Sequence, residues 1–495
     1  MEAQTRPQLR KAIAGLGFFS LALGAMIGVG WITSLDTWLE LGGPAGAIAA
    51  FITGGVLILL IGLCYAELTP MLPVTGGEVA YSYKVLGTGK SFLIGWFLAF
   101  GYVSVCAFEA VSIGVVCGYL FPQLEVIPLY EFMGQDIYLP HIALGLAGSL
   151  LIGLINLYGV SGAIKLQIAL TVLLGLCLTA FVVGGFVNGE ADNLIPLLPD
   201  STTKGNWVGF LSVLVMTPFW FVGFDTIPQA AEESDSSEIV RRLGWYIVAA
   251  IGAAVVFYVA IILASSLATP WQTLKGTELP TAKAFEEAFQ SSFAAKMVLL
   301  AGLLGLLTSW NGFFIAGTRV LFSLGRGCII SPKFGTVHPR YGTPTRPIVF
   351  CTGLTCVAVF LGKPALVAFI NVGSFCICCA FFGVCISFLK LRKLYPDLPR
   401  PYKLPGGKII AMIAAIGSFC LILIMIVPGS RVALAFPLEW SILGIVLTTA
   451  VGFWITSQHI RGSISEEKRR ELILDEVAIV PEGEEKGRDQ ALAEQ

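Results

Sequence analysis

Long apolar stretches alternate with short polar or turn-rich segments along most of the chain. The stretches are near the length of about 20 residues that an α-helix needs to cross a lipid bilayer. No water is available there to satisfy backbone N–H and C=O groups, so each stretch must be helical. The pattern predicts about twelve transmembrane helices, at residues 14–37, 45–69, 91–120, 139–158, 163–187, 207–231, 243–268, 294–325, 347–361, 364–389, 408–428 and 436–457.

Composition supports the same class. Hydrophobic residues make up 56% of the 495 residues, charged residues make up 13%, and the mean hydropathy is +0.82. Because a soluble globular protein carries about 25% charged residues, that class is excluded. The formal net charge of −1 gives no general attraction to nucleic acid. We therefore expect the lipid bilayer, and no nucleic acid, as a partner.

Lysine and arginine are distributed unevenly between alternate connecting segments. Of these residues, 24 lie on the side of the two termini, six lie on the opposite side, and Arg319 lies within the eighth stretch. Cytoplasmic loops of membrane proteins carry the excess of lysine and arginine. The asymmetry predicts a multi-pass protein of the cell (inner) membrane with both termini in the cytoplasm.

Residue patterns typical of catalysis or metal binding are missing from the sequence. The densest group of cysteines, within residues 376–385, has no histidine at the spacing of a zinc site. The three histidines are far apart in the sequence, and neither an HExxH nor a GxSxG motif occurs. We expect no metal, no cofactor and no enzymatic activity.

The first stretch contains three glycines within seven residues, from Gly24 to Gly30. Each glycine costs about 1 kcal/mol in a helix interior. One interpretation is tight helix packing, since Gly24 and Gly28 form a GxxxG pair. The other is a helix broken at mid-membrane, whose free backbone groups bind a carboxylate or a cation.

The sixth stretch carries a second candidate break. Residues 219–225 contain Gly223 and end in Asp225, with Pro218 before them and Pro228 after them. Breaks in the first and sixth helices are five helices apart, the spacing that an inverted repeat of two five-helix halves produces. The pair therefore favours the broken-helix interpretation.

The ordered set of motifs resembles the amino acid–polyamine–organocation superfamily of permeases. The resemblance covers residues 15 to about 405. It rests on Gly24 to Gly30; Tyr65-Ala66-Glu67-Leu68; Pro73 to Glu78 with Tyr81-Ser82-Tyr83; Asn156-Leu157-Tyr158-Gly159-Val160; Gly223-Phe224-Asp225 with Ala231-Glu232-Glu233; Arg319 with Arg326-Gly327 and Pro332; His338-Pro339 and Pro344; and Pro396 to Pro401.

The resemblance implies an all-α membrane protein with a five-plus-five inverted repeat of the LeuT type and two extra helices. The expected regions are a cytoplasmic N-terminus (1–13), a transport core (14–389, with repeats at about 14–187 and 207–389), a cytoplasmic loop (390–407), two additional helices (408–457) and a charged cytoplasmic tail (458–495). In the tail we expect a short helix near Glu466–Leu474 followed by disorder.

The resemblance also implies that the solute binds between the broken first and sixth helices. The substrate-binding residues expected there are Met26, Ile27, Gly28, Gly30, Phe219, Val222, Gly223, Asp225 and Gly312. The sequence departs from the family at a lysine that many relatives carry in the fifth helix, because residues 171–175 contain none. Trp31 also replaces the usual isoleucine, so neither coupling nor substrate is inherited.

Glu109 falls near the middle of the third stretch. An ionised carboxylate there costs about 2.5–3.5 kcal/mol on insertion scales. No lysine or arginine lies at matching depth, so a resident counter-charge is not evident. Glu109 is either a protonated, hydrogen-bonded core residue, or a substrate-binding counter-charge for a cationic solute, or a carrier of a proton. Its alignment with relatives that transport basic amino acids favours a position facing the substrate.

Other polar residues suggest gates and coupling sites. Glu67 lies at a cytoplasmic helix end, where it is expected to close an inner gate with a basic loop residue, and Phe219 is a further gate candidate. Arg319 is either a gate or a member of a structural ion pair. Thr308 and Ser309 offer adjacent hydroxyls for a sodium ion, or they bond to the carbonyl one turn back.

We predict a secondary active transporter that imports a small amine-bearing solute: a cationic amino acid, a polyamine or a related amine. The coupling ion is H⁺ or Na⁺. The alternatives are a neutral amino acid permease, an amino acid exchanger, and a non-transporting sensor that signals through its tail. The exact solute, the coupling ion and the oligomeric state stay open.

Overall fold

The apolar stretches form helices in the computed structural model, which describes residues 6–199, 206–277, 279–429 and 433–475. In the first half of the chain the helices are α1 (Gly15–Met26), α2 (Gly30–Thr33), α3 (Leu35–Met71), α4 (Gly77–Leu120), α5 (Leu139–Tyr158), α6 (Val160–Asn188), α7 (Asn206–Leu214), α8 (Thr217–Phe221) and α9 (Thr226–Ala230). The expected disorder beyond residue 475 lies outside the described residues.

The second half continues in the same manner. Its helices are α10 (Ser237–Ala268), α11 (Pro280–Phe289), α12 (Ser292–Arg326), α13 (Thr345–Val359), α14 (Leu366–Leu394), α15 (Gly407–Ile426), α16 (Leu438–Thr456), α17 (Gln458–Gly462) and α18 (Glu466–Leu474). Within the described ranges, eleven helical segments are long and apolar enough to cross a membrane, and α13 is a shorter apolar helix. The predicted helical membrane fold is confirmed, whereas the inverted repeat stays a prediction.

The first and sixth predicted spans are both interrupted. Helix α1 ends at Met26 and α2 begins at Gly30, so residues 27–29 leave the helical path. In the sixth span, α8 ends at Phe221 and α9 begins at Thr226. Both interruptions lie inside the apolar stretches where the sequence predicted them, at the glycine cluster of the first span and around Gly223 of the sixth.

Two long helices bend at glycines. Helix α3 is kinked at Gly43, and α4 at Gly87. Gly87 has φ 79° and ψ 176°, a backbone conformation that residues with a Cβ rarely adopt. The bend separates residues 77–86 from the longer part of α4, which the predicted span at 91–120 had covered. The first turn of α4 consequently packs beside α9: a Cβ on Gly77 would lie 2.6 Å from the Cβ of Pro228.

The core lies where the interrupted helices meet the long ones. Helix α4 packs against α12 and α14, and α3 packs against α10. Three of the largest fully buried side chains are Trp31, Trp38 and Trp310. Helices α6, α15 and α16 instead present apolar side chains outward, among them Leu176 and Ile445. That pattern fits helices in contact with lipid.

Several further elements were not predicted, among them a hairpin and helix α11. Strands β1 (Pro128–Phe132) and β2 (Gln135–Tyr138) form an antiparallel hairpin, in which Glu131 is paired with Asp136. Helix α11 lies between the seventh and eighth predicted spans. This hairpin is the only β-sheet in the part of the chain that the structure describes.

The predicted tail helix is present as α18 and is docked onto the rest of the protein. Leu472, Ile473 and Leu474 are buried. A Cβ on Gly327 would lie 2.5 Å from Ile473, so the helix packs closely against the end of α12. Arg6 Nε donates to the carbonyl of Leu472. The N-terminal segment and α18 thus share one face of the molecule.

Candidate functional site

The interruption between α1 and α2 exposes backbone groups inside the core. The Tyr258 hydroxyl, from α10, donates to the carbonyl of Met26 over 2.8 Å. Helix α12 passes close to the same interruption, since a Cβ on Gly305 would lie 2.6 Å from the carbonyl oxygen of Gly28. The break is therefore held between two neighbouring helices. Tyr258 was not predicted.

The second interruption meets the first. Gly223 has φ 132°, which favours glycine over any residue with a Cβ. A Cβ built on it would lie 2.8 Å from the backbone nitrogen of Met26. The two breaks are consequently in direct contact. Ile27, Val222 and the rest of the predicted substrate-binding residues in this region are buried or nearly buried.

Glu109 lies against the first break. Its side chain is 1% exposed, and a Cβ on Gly28 would lie 2.3 Å from its Oε1. The N–H of Val29 and the hydroxyl of Ser309 face the carboxyl group. Its Oε2 has no hydrogen-bond partner among the described residues. None of the ion pairs in that part of the chain includes Glu109.

Thr308 and Ser309 differ in what they contact. The Thr308 hydroxyl donates to the carbonyl of Gly305 over 2.8 Å, which is the bond to the preceding turn. Ser309 faces the first break instead, with its Oγ 3.0 Å from the Cβ position of Gly28. Of these two residues, only Ser309 therefore faces the carboxyl group of Glu109.

Aromatic side chains cover the two breaks. A Cβ on Gly30 would lie 1.9 Å from the ring of Trp220, which shows how closely the indole is packed onto the backbone. Phe219 stands edge-on to Trp220 at 5.1 Å and to Phe108 at 5.8 Å. Phe219 thus packs beside the breaks, and its role as a gate stays a prediction. Gly312 lies to the side of them: its Cβ position is 2.9 Å from Ala25.

Asp225 is fully buried and caps the second break. Its Oδ1 accepts from the N–H of Gly223 over 2.8 Å, and its Oδ2 accepts from the hydroxyl of Tyr102 over 2.7 Å. Both oxygens have a donor, so the carboxyl group stabilises the local backbone of the break. Tyr102, on α4, was not predicted as part of the site.

A chain of hydrogen-bonded amide side chains ends on the backbone of α1. Asn156 donates to Asn311, which donates to Gln167, and both distances are 2.9 Å. Gln167 in turn donates to the carbonyls of Ser20 and Thr308. An amide in the apolar fifth span was the available signal for Gln167. This chain connects α5, α6 and α12 to the helix that carries the first break.

The two predicted ionic gate residues lie away from the breaks, in separate ion pairs. Glu67 accepts from Arg392 Nε over 2.9 Å and from Arg400 Nε over 3.0 Å. Arg319 binds both carboxylate oxygens of Glu233, over 2.9 and 3.1 Å, and both side chains are 1% exposed. The structure therefore brings the predicted substrate-binding residues together around the breaks, with Gly312 to one side, but it does not bring Glu67 and Arg319 there.

Comparison with known proteins gives a consistent picture. The profile of the family described as amino acid permease matches residues 13–449. The chain is 26% identical to a branched-chain amino acid permease of Bacillus subtilis, over 89% of this chain and 92% of the relative. It is 25% identical to a methylthioribose transporter of the same organism, over 87% and 91%. It is 26% identical to a vacuolar cationic amino acid transporter of Arabidopsis thaliana, over 79% and 64%.

Proposed function

This chain belongs to the amino acid permease family and is a multi-pass membrane transport protein, and we propose that it imports a cationic amino acid or a related amine. The observation that carries the proposal is the position of Glu109. Its carboxyl group lies beside both the first break and the hydroxyl of Ser309, with one oxygen unpartnered among the described residues.

The proposed recognition uses two opposite ends of an amino acid. Helix α2 begins at the first break, so its N-terminus leaves backbone N–H groups that suit the solute carboxylate. Glu109 then faces the ammonium or guanidinium group of the solute. A bound cation supplies the counter-charge that the surrounding side chains do not, and it gains a charge-assisted hydrogen bond.

A second candidate is a permease or exchanger of neutral amino acids. The branched-chain permease among the relatives favours it. In that case Glu109 stays protonated and serves as a hydrogen-bond donor inside the core. The methylthioribose transporter shows that solutes differ within the family at similar identity. The cationic transporter of Arabidopsis thaliana supports the first candidate.

The remaining assignments complete the proposed cycle. Phe219 closes the site, and the ion pairs of Glu67 hold the inner side shut. The ion pair of Arg319 with Glu233 is either a second gate or a structural pair. H⁺ or Na⁺ drives uptake. Asp225 is the acid nearest the second break, while Thr308 and Ser309 are the candidates for sodium. The bond from Thr308 to Gly305 leaves Ser309 as the better-oriented hydroxyl of the two.

The test is Glu109→Gln, with uptake and binding of radiolabelled arginine and leucine in proteoliposomes. We expect arginine affinity to fall by about 2 kcal/mol or more, since a charge-assisted hydrogen bond is lost. That corresponds to roughly 30-fold in Kd. Leucine binding, if present, should change little. Glu439→Gln is the matched control. Glu439 is also buried, but it lies on α16 and accepts a hydrogen bond from Asn371 on α14.

Two results would contradict the assignment. Arginine bound equally well by Glu109→Gln and by the wild type would make the acid structural. Leucine as the best substrate of the wild type would favour the neutral amino acid permease. Failure of the wild type to transport any amino acid under pH, sodium or exchange conditions would remove the transport proposal itself.

We further propose that both termini are cytoplasmic, and that residues 14–389 form the transport core, with 408–457 added to it. Ser463→Cys, on the exposed tail, should react with an impermeant maleimide only in permeabilised cells. Asp136→Cys, on the exposed hairpin, should react in intact cells. Both variants are made with Cys420, the exposed native cysteine, replaced by serine. Reaction of the tail cysteine in intact cells would reverse the proposed orientation.

A further inference from the structure

A second buried carboxyl group has no role in the site described above. Glu78 lies in the first turn of α4 and is fully buried. The side-chain amide of Gln229, on α9, donates from Nε2 to its Oε2. Because the backbones of α4 and α9 approach closely at Gly77 and Pro228, the two side chains are enclosed between these helices.

The hydrogen bonding around Glu78 is short of one donor. Glu78 Oε1 and Gln229 Oε1 are both buried acceptors without a partner among the described residues, and the Tyr65 hydroxyl that faces Glu78 can donate to only one of them. A buried acceptor left unpaired costs roughly 1–3 kcal/mol. A carboxylic acid in place of the carboxylate would add an O–H donor inside this enclosed pair. The geometry therefore fits a protonated Glu78.

The charges around Glu78 point to the same state. No ion pair in the described part of the chain includes it. The titratable groups that face it are Asp225 at the second break, Tyr65 on α3, and Tyr81 and Tyr102 on α4. All four are acids or phenols, and none supplies a positive charge. Two neighbouring carboxyl groups without a cation favour a proton on one of them.

Glu78 is also connected to the solute site. Asp225 caps the second break, and Gln229 lies one helical turn further along α9, about 6 Å away. Tyr102 donates to Asp225 and faces Glu78 as well. A proton that reaches Asp225 from the side of the breaks thus has hydroxyl and amide groups leading to the first turn of α4.

We propose that Glu78 binds the coupling proton of this transporter. The carboxylate takes up one H⁺ through the solute site, becoming a neutral acid clamped by Gln229. It releases that H⁺ to the cytoplasm when the first turn of α4 separates from α9, so one proton enters with each amino acid. The inference rests on the proposed transport function and on the proposed orientation. It selects H⁺ over Na⁺.

The test is Glu78→Gln, which keeps the shape of the protonated acid but cannot release a proton. Proteoliposomes are loaded at neutral pH and diluted into acidic buffer with labelled arginine, lysine, histidine or leucine, and an entrapped pH dye follows H⁺ entry. We expect the wild type to accumulate its amino acid above equilibrium, with H⁺ entry dependent on that amino acid. The variant should equilibrate the solute and support counterflow, but lose at least 90% of the accumulation.

Two variants test whether a loss of accumulation by Glu78→Gln comes from misfolding of the protein. Glu78→Asp keeps a titratable group and should retain part of the accumulation. Glu439→Gln makes the same chemical change in α16 and should accumulate as the wild type does. Counterflow by Glu78→Gln demonstrates folding directly. If that variant does not fold, amino-acid-dependent H⁺ entry in the wild type and in Glu78→Asp decides the question.

The outcomes separate this inference from the transport proposal. Accumulation by Glu78→Gln under a pH gradient, or wild-type uptake driven by sodium or by exchange alone, overturns the role of Glu78 while amino acid transport stands. Absence of any amino acid transport by the wild type overturns the transport proposal, and the role of Glu78 falls with it. A loss of accumulation with intact counterflow supports both.

Discussion

Gly28→Leu should abolish amino acid binding while leaving the protein folded and inserted in the membrane. A Cβ at this position would lie 2.3 Å from Glu109 Oε1 and 3.0 Å from Ser309 Oγ, and a leucine adds three more carbons. The side chain would occupy the space where the solute ammonium group is proposed to bind. Scintillation proximity binding of labelled arginine to the purified variant measures the effect, which we expect to exceed 100-fold in Kd.

The matched control is Gly175→Leu. Gly175 lies in a membrane helix too, but nothing is within 4 Å of its Cβ position. We expect this variant to bind and transport as the wild type does. Gly28→Ala should fall between the two, because Glu109 and Ser309 are side chains that can shift. Unchanged arginine affinity in the purified Gly28→Leu protein would show that the solute does not bind at the first break.

Helix positions follow from the sequence because a single apolar segment in hydrocarbon can pair its backbone N–H and C=O groups internally only as a helix. Helix α5 (Leu139–Tyr158) begins and ends where the apolar stretch does. The breaks at Gly28 and Gly223 were predictable because clustered glycine and proline inside an apolar stretch oppose a continuous helix. Such signals are local, and local signals define helix ends and interruptions.

The elements outside the bilayer pattern were missed for related reasons. Helix α11 (Pro280–Phe289) has ten residues with one apolar face, too short for a spanning stretch. The hairpin β1–β2 turns at Met133 and Gly134, both with positive φ, and Gly134 between two short β-prone runs was a usable signal. The first turn of α4, with Glu78, lies between two predicted spans, because Glu78, Lys84 and Lys90 interrupt the apolar pattern there.

The site was predictable only in part. Clustered glycines destabilise a continuous helix, and acidic residues are rare within membrane helices, so Gly28, Glu109 and Asp225 were identified as single residues. Their partners were not, because Tyr258 and Tyr102 are ordinary aromatic residues in apolar stretches. Which helix a side chain meets depends on packing between segments far apart in sequence, and helical periodicity carries no information about that.

Arg319→Met should destabilise the protein strongly. Arg319 binds both carboxylate oxygens of Glu233 and also donates to the hydroxyl of Thr318, in a region that is 1% exposed. Methionine retains most of the apolar stem but leaves Glu233 buried without a counter-charge. Breaking a buried ion pair from one side costs about 3–5 kcal/mol. The midpoint of thermal unfolding in detergent, followed by tryptophan fluorescence, reports the loss.

Two further variants distinguish a structural pair from a gate. Arg319→Met combined with Glu233→Leu removes both charges, and we expect it to be more stable than Arg319→Met alone. Arg242→Met breaks the exposed pair with Glu238 and should change stability by about 1 kcal/mol or less. A structural pair lowers the unfolding midpoint while the folded fraction binds arginine normally. If Arg319→Met instead unfolds at the wild-type temperature but leaks solute, the pair acts as a gate, because its loss then changes the barrier to solute movement and not the stability of the fold.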